Sequence, residues 1–215
     1  MTEHVKRRSY DGSRRRAQSE DTRRRILAAA RELLIDSGYE STKVAAIAAR
    51  AGVNPDTVYA VVGPKPALLR ALIEQSVSGA DRAVPAKGRD YVQAIRAEPD
   101  ARRKIQIYAH AVVRTQQRLA PLYKVIRETA PSQPEVEALW HEISERRLAN
   151  MQTFVADVES ARPLRRGLSR SDAAHYVWTL NSSDVYLLMA GERRWSADDI
   201  AQWLAATWDR LLFDD

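Results

Sequence analysis

The stretch VAAIAARAGVNPDTVYAVVG, residues 44 to 63, places Gly52 and Pro55 three residues apart inside an otherwise helix-forming run. A single straight helix is excluded. Glycine enters the left-handed region without a Cβ clash, so the backbone can turn sharply just after a helix. Proline is tolerated at the first position of a new helix, where its missing N–H costs little. Asn54, immediately before it, offers a side-chain oxygen to the open N–H groups of that helix. The reading is two short helices joined by a tight turn, with the small residues Ala45, Ala48, Ala49 and Ala51 allowing close crossing.

Apolar spacing extends this pattern in both directions. Ile26, Ala29, Ala30, Leu33 and Leu34 recur at helical intervals before the stop signal Ser37-Gly38. Thr42 is placed as N-cap of the second helix, whose inward face carries Val44, Ile47, Ala48 and Ala51. Leu68, Leu69, Leu72, Ile73 and Val77 continue a fourth helix, interrupted by Gly79 and the region around Pro85 and Gly88. Further helical patterns cover about 101–118, 121–129 and 135–158. Ser169 with Asp172, and Ser196 with Asp199, fit the Ser-x-x-acid start signature of the last pair. No comparable alternating pattern of strands occurs, so the expected fold is all-α: an N-terminal three-helix helix-turn-helix domain and a larger C-terminal helical domain. The expected boundaries are a disordered basic arm at 1–20, the helix-turn-helix domain at 21–68 and the C-terminal domain at 69–215.

Charge singles out the same end of the chain. The 215 residues carry a formal net charge of +6, yet residues 1–65 hold 13 Lys/Arg against 8 Asp/Glu, and the remainder is nearly balanced. Lys6-Arg7-Arg8 and Arg14-Arg15-Arg16 lie in a segment with almost no apolar content, read as an arm that is either solvated or reaches a groove. A polyanionic partner follows from this asymmetry. The chain has no cysteine, which excludes disulfides and Cys nucleophiles and suits a reducing compartment. No apolar run is long enough to span a membrane and no apolar leader follows the Arg-rich start, so a cytoplasmic protein is expected. The four histidines are scattered; Glu137, His141 and Glu145 share one helical face and read as surface charge, so no metal or cofactor is expected. No Gly-rich phosphate loop or nucleophile motif is present, which argues against an enzyme.

A helix, a glycine turn and a capped second helix resemble a DNA-reading module, although helical bundles also contain such hairpins. Thr22-Arg-Arg-Arg-Ile-Leu, Leu33-Leu34, Gly38-Tyr39-Glu40-Ser41-Thr42, Ile47-Ala48, Ala51-Gly52-Val53, Thr57-Val58-Tyr59 and Lys65-x-x-Leu68-Leu69 resemble the N-terminal domain of TetR-family transcriptional regulators. That resemblance implies a homodimer with two heads on double-stranded DNA and a C-terminal domain that senses a small-molecule effector. The run Ala60-Val61-Val62-Gly63-Pro64-Lys65-Pro66 departs from the family, offering fewer phosphate donors.

Roles follow from chemistry. Asn54, Pro55, Asp56 and Thr57 occupy the leading edge of the third helix, where side chains reach base edges. Thr57 can meet a thymine methyl, and Asp56 can accept from cytosine N4 or simply favour the helix start. Tyr59 is read as a phosphate donor or as a core aromatic with a wet tip. Thr42, Lys43 and Lys65 are placed for phosphate contacts. About four to six neutralised phosphates per dimer give a log–log salt slope near −4 to −5. An effector pocket is drawn from Tyr108, His110, Trp140, Phe154, Trp178, Asn181 and Tyr186, each of which also suits plain core. Trp203, Leu204, Trp208, Leu211 and Leu212 form the expected dimer face, or an intramolecular core. The expected function is a sequence-specific transcriptional repressor released from a palindrome by an effector. The alternatives are a non-specific basic DNA-coating protein and a helical enzyme or carrier.

Overall fold

The computed structural model describes residues 3–80 and 84–214, and every regular element among them is helical. The chain divides into two compact units, Met1–Ile73 and Glu74–Asp215. The division falls five residues beyond the boundary expected at 68, inside a helix.

In the first unit, α1 spans Glu3–Ser41, α2 Val44–Ala51, α3 Pro55–Val61, and α4, Lys65–Ser78, carries the chain out of it. The segment expected to be a disordered arm is therefore helical from Glu3 onward, with Arg14, Arg15 and Arg16 exposed. Alanine, arginine, glutamine and glutamate are good helix formers, and Asp21 pairs with Arg24 and Arg25 one turn on, so continuation needs no buried face. The side chains of Lys6, Arg7 and Arg8 lie outside the described residues. Gly38, at φ 77° and ψ 172°, interrupts the helical path as the Ser37-Gly38 signal predicts. The core of this unit joins Ile26, Leu27, Ala30 and Leu34 of α1 to Ile47 and Ala48 of α2 and Val58 of α3, all essentially inaccessible. Of the alanines read as packing residues, Ala48 and Ala51 are buried while Ala45 and Ala49 face solvent.

The second unit contains α5 (Asp90–Ala97), α6 (Ala101–Thr129), α7 (Pro134–Ala161), α8 (Arg170–Leu180), α9 (Ser183–Leu187) and α10 (Ala197–Leu212). A 3₁₀ turn at Ala86–Gly88 precedes α5, and a π turn at Leu188–Glu192 follows α9. The two helices expected at 101–118 and 121–129 are one. Pro121 removes one backbone bond, but Leu119, Ala120, Leu122, Tyr123 and Val125 bury on both sides of it, and tertiary packing outweighs that local loss. Conversely, the helix that Ser169 opens stops at Asn181. Ser182 recaps the chain, its hydroxyl accepting from the Val185 amide at 3.3 Å. The serine signatures hold: Asp172 N–H donates to Ser169 Oγ at 3.1 Å, and Ser196 with Asp199 forms a reciprocal capping box.

Tyr108 sits at the centre of this unit, 4.2 Å from the Phe154 ring and stacked at 5.4 Å on Trp208. Around it Ile105, Val155, Val177, Ile200 and Leu204 close the core.

Candidate nucleic-acid interface

The turn between α2 and α3 is built as its residues dictate. Gly52 adopts the left-handed conformation at φ 66° and ψ 40°. Its N–H donates to Ala49 O at 3.2 Å, while Val53 N–H reaches back to Ala48 O at 3.0 Å, the paired bonds that close a helix on glycine. Two arginines of α1 then hold the carbonyl ends of the short helices. Arg25 Nη1 donates to Ala51 O at 3.0 Å, and Arg23 Nη1 reaches Val61 O at 3.4 Å. A cation at a helix C-terminus satisfies orphan carbonyls and complements the macrodipole. In the sequence these arginines are legible only as part of a family signature, because their targets lie 26 and 38 residues away.

Asn54 caps α3, its Oδ1 accepting from the Asp56 amide at 2.9 Å, with Pro55 in the first turn. Val58 is fully buried beneath the helix, which turns Asp56, Tyr59 and Ala60 outward on one stripe, with Pro55 and Thr57 half-buried beside it. Tyr59 is 52% exposed, so the core-aromatic alternative is set aside. The leading edge of a seven-residue helix thus stands free, with one hydroxyl, one carboxylate and small side chains on display.

Two residues expected to contact phosphate are engaged within the fold. Thr42 is only 3% exposed, and its hydroxyl proton is donated among Gly38 O at 2.7 Å and Leu33 O at 3.0 Å. The α2 N-cap position belongs to Lys43, without a side-chain bond, so Thr42 ties off the end of α1 rather than opening α2. Lys65 Nζ donates to Tyr39 O at 2.7 Å and Thr42 O at 3.3 Å and lies 4.1 Å from the centroid of the Tyr39 ring. Burial, and then the charge of Lys43, holds Lys65 below the ordinary lysine value. Its ammonium fastens the Tyr39–Thr42 segment. Lys43 remains exposed, and Arg50, also exposed, pairs with Glu32 at 2.7 Å.

The residues expected to line a pocket separate into two groups. Tyr108 and Phe154 line a hollow of about 370 Å³ between α5, α6 and α7. Tyr108, Trp140 and Asn181 line an adjoining hollow of about 90 Å³. Asn181 Nδ2 donates to Tyr108 Oη at 2.7 Å, and Asn181 O accepts from Gln116 Nε2 at 2.6 Å, so this amide both ends α8 and furnishes the wall. His110 does not join them. It faces outward from α6 onto an open groove with Arg103 and Gln202, because residue 110 falls on the helix face opposite the buried Tyr108 and Val112. Trp178 and Tyr186 pack against the core without lining either hollow.

The expected dimer face is likewise divided by α10. Leu204, Trp208 and Leu212 point into their own protomer, Trp208 being 0% exposed, so the intramolecular alternative holds for these three. Trp203 and Leu211 stay partly open, and Trp203 meets the exposed Trp195 edge to face at 6.3 Å. Among the described residues, no group of three or more His, Asp or Glu is placed to hold a metal ion, and no helix is long and apolar enough to cross a membrane.

Residues 26–72 match the family model for bacterial regulatory proteins of the tetR family. In fold, the chain is similar to NalD, the secondary repressor of the MexAB-OprM multidrug efflux pump in Pseudomonas aeruginosa, with a TM-score of 0.68 at 21% identity over 93% of this chain and 99% of that one. It is similar also to the fatty acid degradation regulator FadR from Bacillus halodurans, with a TM-score of 0.67 at 16% identity over 87% of this chain and 94% of that one. Salmonella enterica GusR gives 0.66 at 20% identity over 89% and 95%. No curated protein matches the sequence.

Proposed function

We propose that the chain, whose residues 26–72 match the tetR family of bacterial regulatory proteins, is a DNA-binding regulator that represses transcription from one palindromic operator and is released by a small-molecule effector. The observation that carries this reading is the stripe Asp56, Tyr59, Ala60, turned outward by the burial of Val58 and held by Asn54, Gly52 and Arg25. An edge of that kind suits entry into a major groove, N-terminus first. Asp56 and Thr57 are the base-reading candidates, and Tyr59 and Lys43 the phosphate contacts, with a cytoplasmic site of action.

Two heads are needed because one helix of seven residues offers too few contacts. The homodimer is assigned to apolar residues left open on the second unit: Leu188, 51% exposed, Trp195, Tyr176, Trp203 and Leu211. The effector is assigned to the hollows at Tyr108. The division between the two units lies within α4, so a displacement of α4 is the covalent route by which effector binding alters the heads. Spin-label distances between heads that stay fixed while an effector releases the operator exclude that route.

Selection of bound duplexes from a random library tests the function directly. The expected product is a two-fold symmetric site whose half-sites lie about one helical turn apart, preferred roughly a thousandfold or more over random duplex at fixed salt. The exposed Arg14-Arg15-Arg16 on α1 favours a second reading, non-specific coating of DNA, and a flat sequence preference selects it.

A further inference from the structure

The two hollows of the second unit share Tyr91, Tyr108, Asn150 and Met151 as walls, and they differ in chemistry. The larger takes much of its lining from Val92, Ile95, Met151 and Phe154. Its one acid, Asp157, is bound to Lys104 at 3.0 Å. The smaller is lined by Arg89, Arg146 and Arg147 and by no aspartate or glutamate.

Those arginines are not equally occupied. Arg146 pairs with Glu74. Arg89 donates to Val84 O at 3.1 Å and Tyr91 Oη at 3.3 Å, both neutral acceptors. Arg147 has one bond, Nη2 to Trp178 O at 3.3 Å, and its guanidinium lies 4.4 Å from the centroid of the Trp178 ring. Its Nε is buried and has no acceptor. Asp184, the carboxylate whose charge acts on Arg147, is already engaged by Tyr123 and Arg127.

A partly buried guanidinium without a carboxylate is costly, and a planar fork of donors is matched in shape by a carboxylate. Arg147, on the wall of a cavity and with its Nη1 left without an acceptor among the described residues, has the form of half of such a pair. The second half has to come from outside the chain, since the cavity wall holds no free acid. The apolar hollow beyond Met151 then fixes what the carboxylate is attached to.

The geometry points to an effector that is a monocarboxylic acid with an apolar body: its carboxylate accepts from Arg147, with Arg89 nearby on the same wall, and its body lies along Met151 and Phe154. This rests on the reading of the hollows as the effector site.

The test uses the purified full chain and 1-aminoanthracene, a small neutral fluorophore, as cavity probe, with octanoate and octanamide as competitors. The two competitors share a tail and differ in charge. Octanoate is expected to displace the dye at a concentration at least tenfold below octanamide. Arg147→Met should erase that difference while dye uptake persists, and Arg147→Lys should restore part of it. Equal displacement by acid and amide overturns the proposal, as does a preference for octanoate that survives Arg147→Met. Dye uptake that neither competitor reverses also overturns it, with the cavity reading left standing. No uptake by the wild-type chain removes the cavity reading as well. Should Arg147→Met fail to fold, the wild-type ratio of acid to amide still decides.

Discussion

At the scale of single residues, the hydroxyls of Tyr59 and Thr42 illustrate opposite fates. Tyr59 projects from α3 into solvent, so its Oη is free for a phosphate, whereas Thr42 spends its proton inside the fold. Tyr59→Phe should weaken operator binding by about 0.5–1.5 kcal/mol per head, one neutral hydrogen bond, and leave thermal stability unchanged. Being uncharged, it should not alter the salt slope in a filter-binding or anisotropy titration. Thr42→Val keeps the shape but leaves carbonyls of Leu33 and Gly38 without their donor, which should cost about 1–2 kcal/mol in denaturant unfolding. Its effect on DNA should then follow the unfolded fraction alone. The sequence made both residues equal candidates. Their separation came from burial, which depends on where α1 ends relative to α2.

At the scale of elements, the turn and the last helix make the sharpest demands. Gly52→Ala places a Cβ 3.6 Å from Arg25 Nη1, an ordinary contact, so the cost comes from the left-handed backbone and should be about 1–2 kcal/mol. Urea midpoints measure it, and operator specificity should persist in the folded fraction. Helix α10 has two apolar faces with different tasks. Trp208→Ala empties a fully buried site and should destabilise the protomer by about 3–5 kcal/mol. Trp203→Arg, on the partly open face, should leave unfolding nearly unchanged while shifting the molecule toward monomer in light scattering. A dimer that survives Trp203→Arg removes this face from the proposed interface. Periodicity placed α10 and its capping box correctly, but not which stripe faces inward. Both stripes carry tryptophan and leucine, and only the positions of α6 and α8 choose between them.

At the scale of the whole molecule, binding should report how the positive charge is distributed. With Lys65 committed to Tyr39 and Thr42 carbonyls, Lys43 is the exposed cation left from the expected phosphate contacts. Lys43→Gln should flatten the log–log salt dependence by about 2 units per dimer, one cation per head. A slope steeper than that of two lysines measures the arginines of α1, and removal of residues 1–20 should take the excess away. If neither change moves the slope, the cations that meet phosphate lie elsewhere.

The sequence by itself determined the joint on which the regulatory reading turns. Glycine, asparagine and proline at 52, 54 and 55 act through their own backbone conformations and through bonds spanning two to five residues, so no distant partner was needed to predict them. The capping serines were legible for the same reason. What tertiary structure alone decided is where side chains of suitable chemistry were aimed: Lys65 onto Tyr39, Thr42 onto α1, His110 outward, Trp208 inward and Arg147 onto a wall without an acid. Apart from Thr42, whose acceptors lie four and nine residues back, those outcomes depend on contacts across tens of residues, where burial and desolvation rather than local propensity set the energy.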